Sequence, residues 1–162
     1  MNATIRKATL TDKADLGKIY CAAWKEAYNI LPSEYLEKLN EEFCTPKTDN
    51  LENCLVAEMN NTVAGLVNYG VSRDSASEKT GEIRAIYILP EFWRKGLGTE
   101  LIRAAQAEMK KHGYISAYLW VLEKYIRAVK FYEKMQMRTT KEKRTIQLNG
   151  TQLTEIKCEC EL

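Results

Sequence analysis

A short segment between two apolar runs constrains the fold of this chain more than any other part of the sequence. Residues Arg94–Thr99 read RKGLGT, and they follow the strand-like run Ile83–Leu89 and the strand-breaking Pro90. The run Leu97–Lys111, whose apolar residues recur every fourth position, predicts an amphipathic helix. The pattern therefore predicts a strand, a tight turn and a helix in direct succession.

This turn has the features of an anion-binding site. Two glycines one residue apart, Gly96 and Gly98, allow a tight turn that exposes consecutive backbone N–H groups. The following helix adds unpaired first-turn donors and the positive end of its dipole, and Arg94 and Lys95 add full charges. Together they predict a site for a pyrophosphate or another dianion. The alternative is an ordinary strand-to-helix turn that uses Gly for geometry and basic residues for solubility.

Two common nucleotide-binding motifs do not match this turn. A P-loop requires the string GxxxxGK[ST], which the sequence lacks, and a dinucleotide fingerprint requires Gly or Ala where Leu101 stands. Trp120 and Val121 occupy the distance at which that fingerprint places an acidic residue. The sequence therefore argues against ATP and NAD as ligands.

The turn and its flanking segments resemble the GNAT acyltransferase superfamily. The signature of that family is Gln/Arg-x-x-Gly-x-Gly/Ala after a strand, and the resemblance runs through Glu82–Gly98. It resumes at Leu119–Tyr125 and at Ala128–Met135, where the chain is similar to the family block Asn-x-x-Ala-x-x-Phe-Tyr-x-x-x-Gly-Phe. Two spaced motifs in the right order are more specific than either motif alone.

Three positions depart from the family pattern. Trp93 stands at the Gln/Arg position, Tyr125 at the Asn position, and Gln136 and Met137 replace the closing Gly-Phe pair. The change at Trp93 matters least if backbone amides hold the phosphates. Tyr125 removes a side-chain amide that often contacts the cofactor in the family, and Gln136 predicts an altered turn after the last helix.

The order of predicted elements is β-α-α-β-β-β-α-β-α-β-β, in one domain that spans residues 1–162. Strands outnumber helices and hairpins mix with crossovers, which predicts an α/β fold with a mixed sheet and helices on both faces. The resemblance implies a single-domain, GNAT-like, mostly antiparallel sheet. In detail, Thr11 is expected to cap the first helix, residues 40–53 to form a surface loop, and the helix Tyr125–Met135 to carry Ile126 on its apolar face.

The resemblance also implies a reaction and a cofactor. The reaction is transfer of an acyl group, usually acetyl, from coenzyme A to a primary amine. The pyrophosphate is assigned to the turn and the pantetheine arm to the strand before it, because an extended ligand can pair with a strand edge. The predicted cofactor-binding residues are Ile86, Tyr87, Ile88, Arg94, Lys95, Gly96, Leu97, Gly98, Thr99 and Tyr125.

Such a transfer needs a base for the attacking ammonium group and benefits from an acid for the leaving thiolate. Tyr132 matches the family tyrosine that serves as this acid, and a phenol is a suitable proton donor; the alternative is a core aromatic residue. Glu82 is the first candidate for the base, because it lies four residues before Ile86 on the same strand face. Glu123, after the next strand, and a water relayed by backbone carbonyls are the alternatives.

The acceptor is expected against the first two helices. Trp24 and Tyr28 belong to an aromatic-rich block there, and Glu26 and Glu34 offer negative charge to a cationic amine; packing of a helix on the sheet explains the two aromatic residues equally well. The leading prediction is N-acetylation of a small amine, such as a polyamine or an amino sugar. Acetylation of a protein N-terminus or lysine, and acyl-CoA binding without turnover, are the alternatives.

Composition limits the partners and the compartment. A formal net charge of +2 with mixed signs gives no field that predicts nucleic-acid binding, and no apolar run approaches the roughly 20 residues of a membrane helix. Five cysteines, none in a Cys-x-x-Cys motif, and a single histidine argue for reduced thiols and against a metal site. We therefore expect a cytoplasmic protein without metal, and a homodimer paired through sheet edges stays open.

Overall fold

The fold combines seven strands and five α-helices over the residues that the computed structural model describes, which are 3–27, 33–47, 51–74, 77–148 and 150–162. The strands are β1 (Ala3–Lys7), β2 (Cys54–Met59), β3 (Thr62–Val71), β4 (Thr80–Ile88), β5 (Ser116–Leu122), β6 (Arg138–Leu148) and β7 (Thr151–Glu161). The helices are α1 (Lys13–Ala27), α2 (Ser33–Lys38), α3 (Glu41–Cys44), α4 (Leu97–Lys111) and α5 (Ile126–Lys134).

The strands form a mixed sheet in the order β1-β2-β3-β4-β5-β7-β6. The pairs β1–β2, β2–β3, β5–β7 and β6–β7 are antiparallel, whereas β4 runs parallel to β5 from Thr80 to Glu82. The predicted α/β fold with a mixed, mostly antiparallel sheet is therefore confirmed.

The packing of the chain divides it into two compact units. One unit comprises Met1–Asn68 and Ala85–Ala105, and the other comprises Tyr69–Arg84 and Gln106–Leu162. The strands β3 and β4 and the helix α4 each contribute residues to both units. The single domain over residues 1–162 stays a prediction.

The core of the first unit lies between α1 and the strands β2 and β3. Leu16 and Ile19 of α1 and Val56 and Leu66 of the strands are almost completely buried. Leu16 and Ile19 are three residues apart, which places both on one face of the helix. Each such side chain contributes roughly 1.5–3 kcal/mol on burial. Tyr87 of β4 packs against this core, which fixes the strand that leads to the predicted turn.

The predicted cap of the first helix is wrong. Thr9, and not Thr11, begins the helical turn that precedes α1: the Asp12 carboxylate accepts from the Thr9 N–H at 2.7 Å, and the Asp12 N–H donates to the Thr9 carbonyl at 3.0 Å. This reciprocal arrangement satisfies two terminal donors at once. Its carboxylate partner three residues later was the sequence signal that could have found it.

Two other predicted details are also wrong. The segment 40–53, predicted as a loop, contains α3, whose preceding residue Asn40 accepts from the Phe43 N–H at 2.8 Å. A four-residue helix is too short to show apolar periodicity, so only the capping residue could have indicated it. Ile126, which was predicted on the apolar face of α5, is 55% exposed. It is the first residue of the helix, and the buried positions of that face lie further along α5.

Replacing Asp12 by Asn should lower the free energy of unfolding at pH 7 by on the order of 2 kcal/mol. Hydrogen bonds from Arg6, at 2.8 Å to both carboxylate oxygens, lower the pKa of Asp12 to about 2, although burial opposes the shift. Since the folded pKa lies below the unfolded one, this stabilisation is present above pH 4 and is lost as the pH falls from about 4 to 2. Urea unfolding of both proteins across this pH range measures the difference.

Asp15→Asn is the matched control, because Asp15 lies three residues after Asp12 and pairs with Lys18 at the surface of α1. It should change stability by about 0.5 kcal/mol or less. Equal stability of the Asp12→Asn variant and the unaltered protein at pH 7 would contradict the role assigned to the Arg6–Asp12 pair.

Candidate active site

The turn between β4 and α4 has the backbone geometry of an anion-binding loop. Arg94 and Gly96 adopt left-handed conformations, with φ angles of 59° and 86°. A β-carbon added at Gly96 would meet no atom within 4 Å, so glycine serves the backbone conformation there and not the space. Arg94 and Lys95 are exposed, which leaves their charges accessible to a ligand.

Helix α4 begins directly after this turn. The N–H of Glu100 donates to the Gly96 carbonyl at 3.2 Å, so the amides of Leu97, Gly98 and Thr99 precede the helical ladder and have no acceptor within it. Gly98 is helical and buried, so its backbone conformation does not require glycine. What distinguishes this residue is the absence of a side chain. The helix start adds the positive end of its dipole, and the predicted anion site has the donors that such a site requires.

Aromatic side chains brace the turn. The indole N–H of Trp93 donates to the Ile88 carbonyl at 2.8 Å, which ties the turn to the last residue of β4. The Lys95 ammonium lies 4.9 Å from the centre of the Phe92 ring. Trp93 therefore stabilises the turn through this hydrogen bond. The Gln/Arg position of the family pattern, at which Trp93 stands, did not predict that role.

The end of β4 directs its backbone groups to two different edges. The N–H of Leu89 donates to the carbonyl of Ala64 on β3 at 2.9 Å. Successive residues of a strand direct their backbone groups alternately to opposite edges, so Tyr87 directs its groups toward β3. Ile86 and Ile88 direct theirs away from β3, the edge that an extended ligand would need.

Three aromatic residues form a cluster in the first unit, between α1 and β4. The indole N–H of Trp24 donates to the Tyr87 hydroxyl at 3.2 Å, and the rings of Tyr20 and Tyr87 meet edge to face with centres 5.1 Å apart. Burial raises the pKa of Tyr20 above its usual range, so this phenol stays neutral. Trp24 is half-buried; Tyr28 lies outside the described residues.

In the second unit, Glu82 lies beneath an arginine. Its side chain is only 2% exposed, whereas that of Arg73 is 57% exposed. The guanidinium donates to both carboxylate oxygens, from Nη2 at 2.6 Å and from Nε at 2.8 Å. Burial opposes ionisation of this carboxyl, but the hydrogen bonds and charge of Arg73 outweigh it and hold the pKa of Glu82 below its usual range.

The segment that carries Arg73 is hydrogen-bonded to β5. The Ser72 and Tyr118 hydroxyls are 3.0 Å apart, and the Asp74 N–H donates to the Tyr118 hydroxyl at 3.3 Å. The Asp74 carboxylate accepts from the Trp120 indole N–H at 2.5 Å. The backbone on both sides of Arg73 is therefore held by β5, and none of these contacts was evident from the sequence.

Tyr132 lies on α5 and is 8% exposed. Gln136 lies in the turn that follows, for which the missing glycine predicts an altered conformation. Gln136 adopts the left-handed conformation with a φ of 62°. The Met137 N–H donates to the Tyr132 carbonyl and the Gln136 N–H to the Glu133 carbonyl, both at 3.0 Å, as in a Schellman cap. Gln136 therefore occupies the left-handed position of this cap, which is usually taken by glycine.

The remaining candidates, Tyr125 and Glu123, are paired with cations. The Arg127 guanidinium lies over the Tyr125 ring, 5.2 Å from its centre, and also donates to the Tyr125 hydroxyl. Glu123 accepts from the Lys143 ammonium at 2.5 Å in a largely exposed pair.

The described ranges of the chain hold neither a metal-binding cluster nor a membrane-spanning helix. No group of three or more His, Cys, Asp or Glu side chains is placed to hold a metal ion there. None of the helices in those ranges has the length and apolar character needed to cross a membrane.

Comparison with known proteins shows which family and which solved structures the chain is similar to. The model of the acetyltransferase (GNAT) family matches residues 14–137. The chain is 34% identical over 124 residues to YuaI, an uncharacterised N-acetyltransferase of Bacillus subtilis, covering 74% of this chain and 72% of the relative. It is 26% identical over 145 residues to a spermidine N(1)-acetyltransferase of Thermoplasma acidophilum, covering 83% of this chain and 87% of the relative. The structure of the PaiA N-acetyltransferase of Thermoplasma acidophilum in complex with coenzyme A superposes with a TM-score of 0.70, 22% identity and full coverage of both chains.

Proposed function

Because the chain belongs to the acetyltransferase (GNAT) family, we propose that it transfers the acetyl group of acetyl-CoA directly to the primary amine of a small cationic molecule. The chain is an acetyl-CoA-dependent N-acetyltransferase, and the proposal concerns the acceptor and the residues. The observation that carries the assignment of the cofactor is the β4–α4 turn, where left-handed residues, first-turn amides and exposed cations coincide. The assignment of the acceptor rests on the aromatic cluster between α1 and β4.

The cofactor is assigned to the end of β4 and the turn. The backbone N–H groups of the turn and of Leu97, Gly98 and Thr99 would donate to the pyrophosphate oxygens, and Arg94 and Lys95 would balance the negative charge of the pyrophosphate. The backbone groups of Ile86 and Ile88 would pair with the amides of the pantetheine arm, while Tyr87 contributes its side chain to the aromatic cluster. Tyr125, held by Arg127, takes the place of the family asparagine.

The chemistry is assigned to two side chains of the second unit. The acceptor ammonium passes a proton to Glu82, directly or through one water, and the freed nitrogen attacks the thioester carbonyl carbon. The carbon–sulfur bond then breaks, and Tyr132 donates its hydroxyl proton to the leaving thiolate. The nitrogen of the new amide loses its surplus proton to the Tyr132 phenolate, which restores the phenol, and Glu82 releases its proton to solvent. Glu123, in its exposed ion pair, and a water relay remain the alternative bases.

A cationic acceptor is favoured by the aromatic cluster of Tyr20, Trp24 and Tyr87. Aromatic faces attract ammonium groups, and the half-buried indole of Trp24 lies on α1, in the part of the chain where the acceptor is expected. The relative from Thermoplasma acidophilum that is named a spermidine N(1)-acetyltransferase supports the same class.

An acceptor panel tests this proposal. Thiol release from acetyl-CoA is measured with spermidine, spermine, putrescine, glucosamine and peptides that carry a free N-terminal alanine or an internal lysine. We expect kcat/KM for at least one small amine to exceed that of every peptide by about tenfold or more. Preference for a peptide would reassign the acceptor class, and binding of acetyl-CoA without thiol release for any amine would indicate a binding module.

Replacing Trp24 by Phe should raise KM for the preferred small amine about fivefold, because the phenyl ring is a weaker cation–π partner and lacks the N–H that holds Tyr87. The dissociation constant of acetyl-CoA, measured by calorimetry on the same variant, should not change and serves as the control. An unchanged KM would indicate that Trp24 only packs α1 against the sheet.

A further inference from the structure

The pairing of Glu82 with Arg73 is difficult to reconcile with a role of Glu82 as a proton acceptor. Both carboxylate oxygens accept from the Arg73 guanidinium, which keeps the carboxyl ionised and makes it a weak base. The guanidinium cannot take up or release a proton at accessible pH, so it cannot serve in a proton relay. If Glu82 is the base, the arrangement around it must change before the reaction.

The contacts of Arg73 permit such a change without movement of the surrounding backbone. Its neighbours Ser72 and Asp74 are held by Tyr118 of β5. The Arg73 side chain itself is more than half exposed, so its guanidinium can leave the carboxylate for solvent by side-chain rotation. The carboxylate beneath it is almost completely buried.

We propose that Arg73 is a displaceable cap on Glu82, whose guanidinium occupies the carboxylate in the resting protein and gives way to the ammonium group of the acceptor. This inference rests on the proposed function, in which Glu82 accepts the acceptor's proton. Arg73 is thus a positioning residue that acts through Glu82. The exchange replaces a cation that cannot lose its proton with one that can.

The exchange also makes Glu82 a stronger base at the moment when it is needed. The groups that face its carboxylate are Arg73 and Asp74 from the segment between β3 and β4, and Tyr118 from β5. With the guanidinium gone, burial and the Asp74 charge both favour the protonated carboxyl. Opposing them is the Arg73 backbone N–H, which donates to Glu82 Oε2 at 3.3 Å. The ammonium can then transfer its proton to Glu82, and its nitrogen keeps the electron pair that attacks the thioester.

The first test follows the protonation of Glu82 without any substrate. Carboxyl ¹³C resonances of glutamate-labelled full-length protein are titrated by NMR, and the Glu82→Gln variant identifies the Glu82 signal. In Arg73→Gln we expect that signal to titrate at higher pH than in the unaltered protein, and in Arg73→Lys at an intermediate pH. Arg138→Gln, which removes an arginine paired with Glu159 on β6 and β7, should leave it unchanged.

The second test uses kinetics with spermidine as the probe. In Arg73→Gln the acceptor no longer competes with the cap, so KM for spermidine should fall about threefold or more. The ratio of kcat/KM at pH 6 to that at pH 8 should fall on the order of tenfold relative to the unaltered protein, because Glu82 becomes protonated more readily.

The outcomes separate the cap from the proposed function. A Glu82 signal that titrates as before in Arg73→Gln, or a raised KM for spermidine, would overturn the cap. Unchanged turnover of Glu82→Gln would instead overturn the role of Glu82 in the proposed function. If spermidine is not an acceptor, that result counts against the proposed acceptor class, and the NMR titration decides on the cap alone.

Discussion

A Tyr132→Phe variant should turn over about a hundredfold more slowly than the unaltered protein, the usual scale for loss of a positioned acid. The substitution keeps the ring and its buried position on α5 and removes only the hydroxyl. That hydroxyl is needed once negative charge develops on the sulfur, so its loss affects the transition state more than the cofactor complex. Steady-state thiol release and direct titration with acetyl-CoA measure the two effects separately.

Two results would contradict this role. Turnover near that of the unaltered protein would make Tyr132 a core aromatic residue, with the thiolate protonated by water. Loss of acetyl-CoA affinity in parallel with turnover would mean that the hydroxyl holds the cofactor. Tyr114→Phe is the matched control, because it removes a tyrosine hydroxyl from the same unit at a position with no assigned role, and it should leave both quantities unchanged.

The parts of the fold that sequence patterns predicted well are those that local interactions determine. Helix α4 begins and ends at the predicted residues, because its apolar residues recur every fourth position and Gly113 takes the left-handed conformation after its end, with a φ of 85°. The dipeptide Asn60-Asn61 between β2 and β3 is likewise a local signal, because asparagine tolerates the positive φ angles of a two-residue hairpin turn. Its two φ angles are 53° and 60°.

The candidate site was less predictable, because contacts between distant parts of the chain create it. Trp24 and Tyr87 are 63 residues apart and meet through a hydrogen bond. The pairing of Glu82 with Arg73 depends on how the segment before β4 folds back on β5, and an arginine nine residues away gives no sequence signal for it. The sequence could therefore name Glu82 as a carboxylate of interest but could not show that a cation covers it.

A Gly98→Asp variant should bind acetyl-CoA at least about tenfold more weakly, a loss of about 1.4 kcal/mol or more. Gly98 is buried in the first turn of α4, among the amides that lack a helical acceptor. An aspartate there places a carboxylate where the pyrophosphate is assigned, and it offers those amides an internal acceptor that competes with the ligand. Calorimetric titration of the folded variant with acetyl-CoA measures the loss.

Gly98→Ala separates the effect of charge from that of size. An acidic residue in the first turn interacts favourably with the helix dipole, so the charge of aspartate does not itself weaken α4, and thermal unfolding of both variants shows whether the buried position tolerates a side chain. If charge repulsion dominates, the alanine variant keeps most of the affinity and the aspartate variant loses it. If close approach of the phosphate to the backbone dominates, both variants lose it, because even a methyl group holds the ligand away from the amides. Affinity that is unchanged in a folded Gly98→Asp protein is incompatible with either account and would remove the pyrophosphate from this turn.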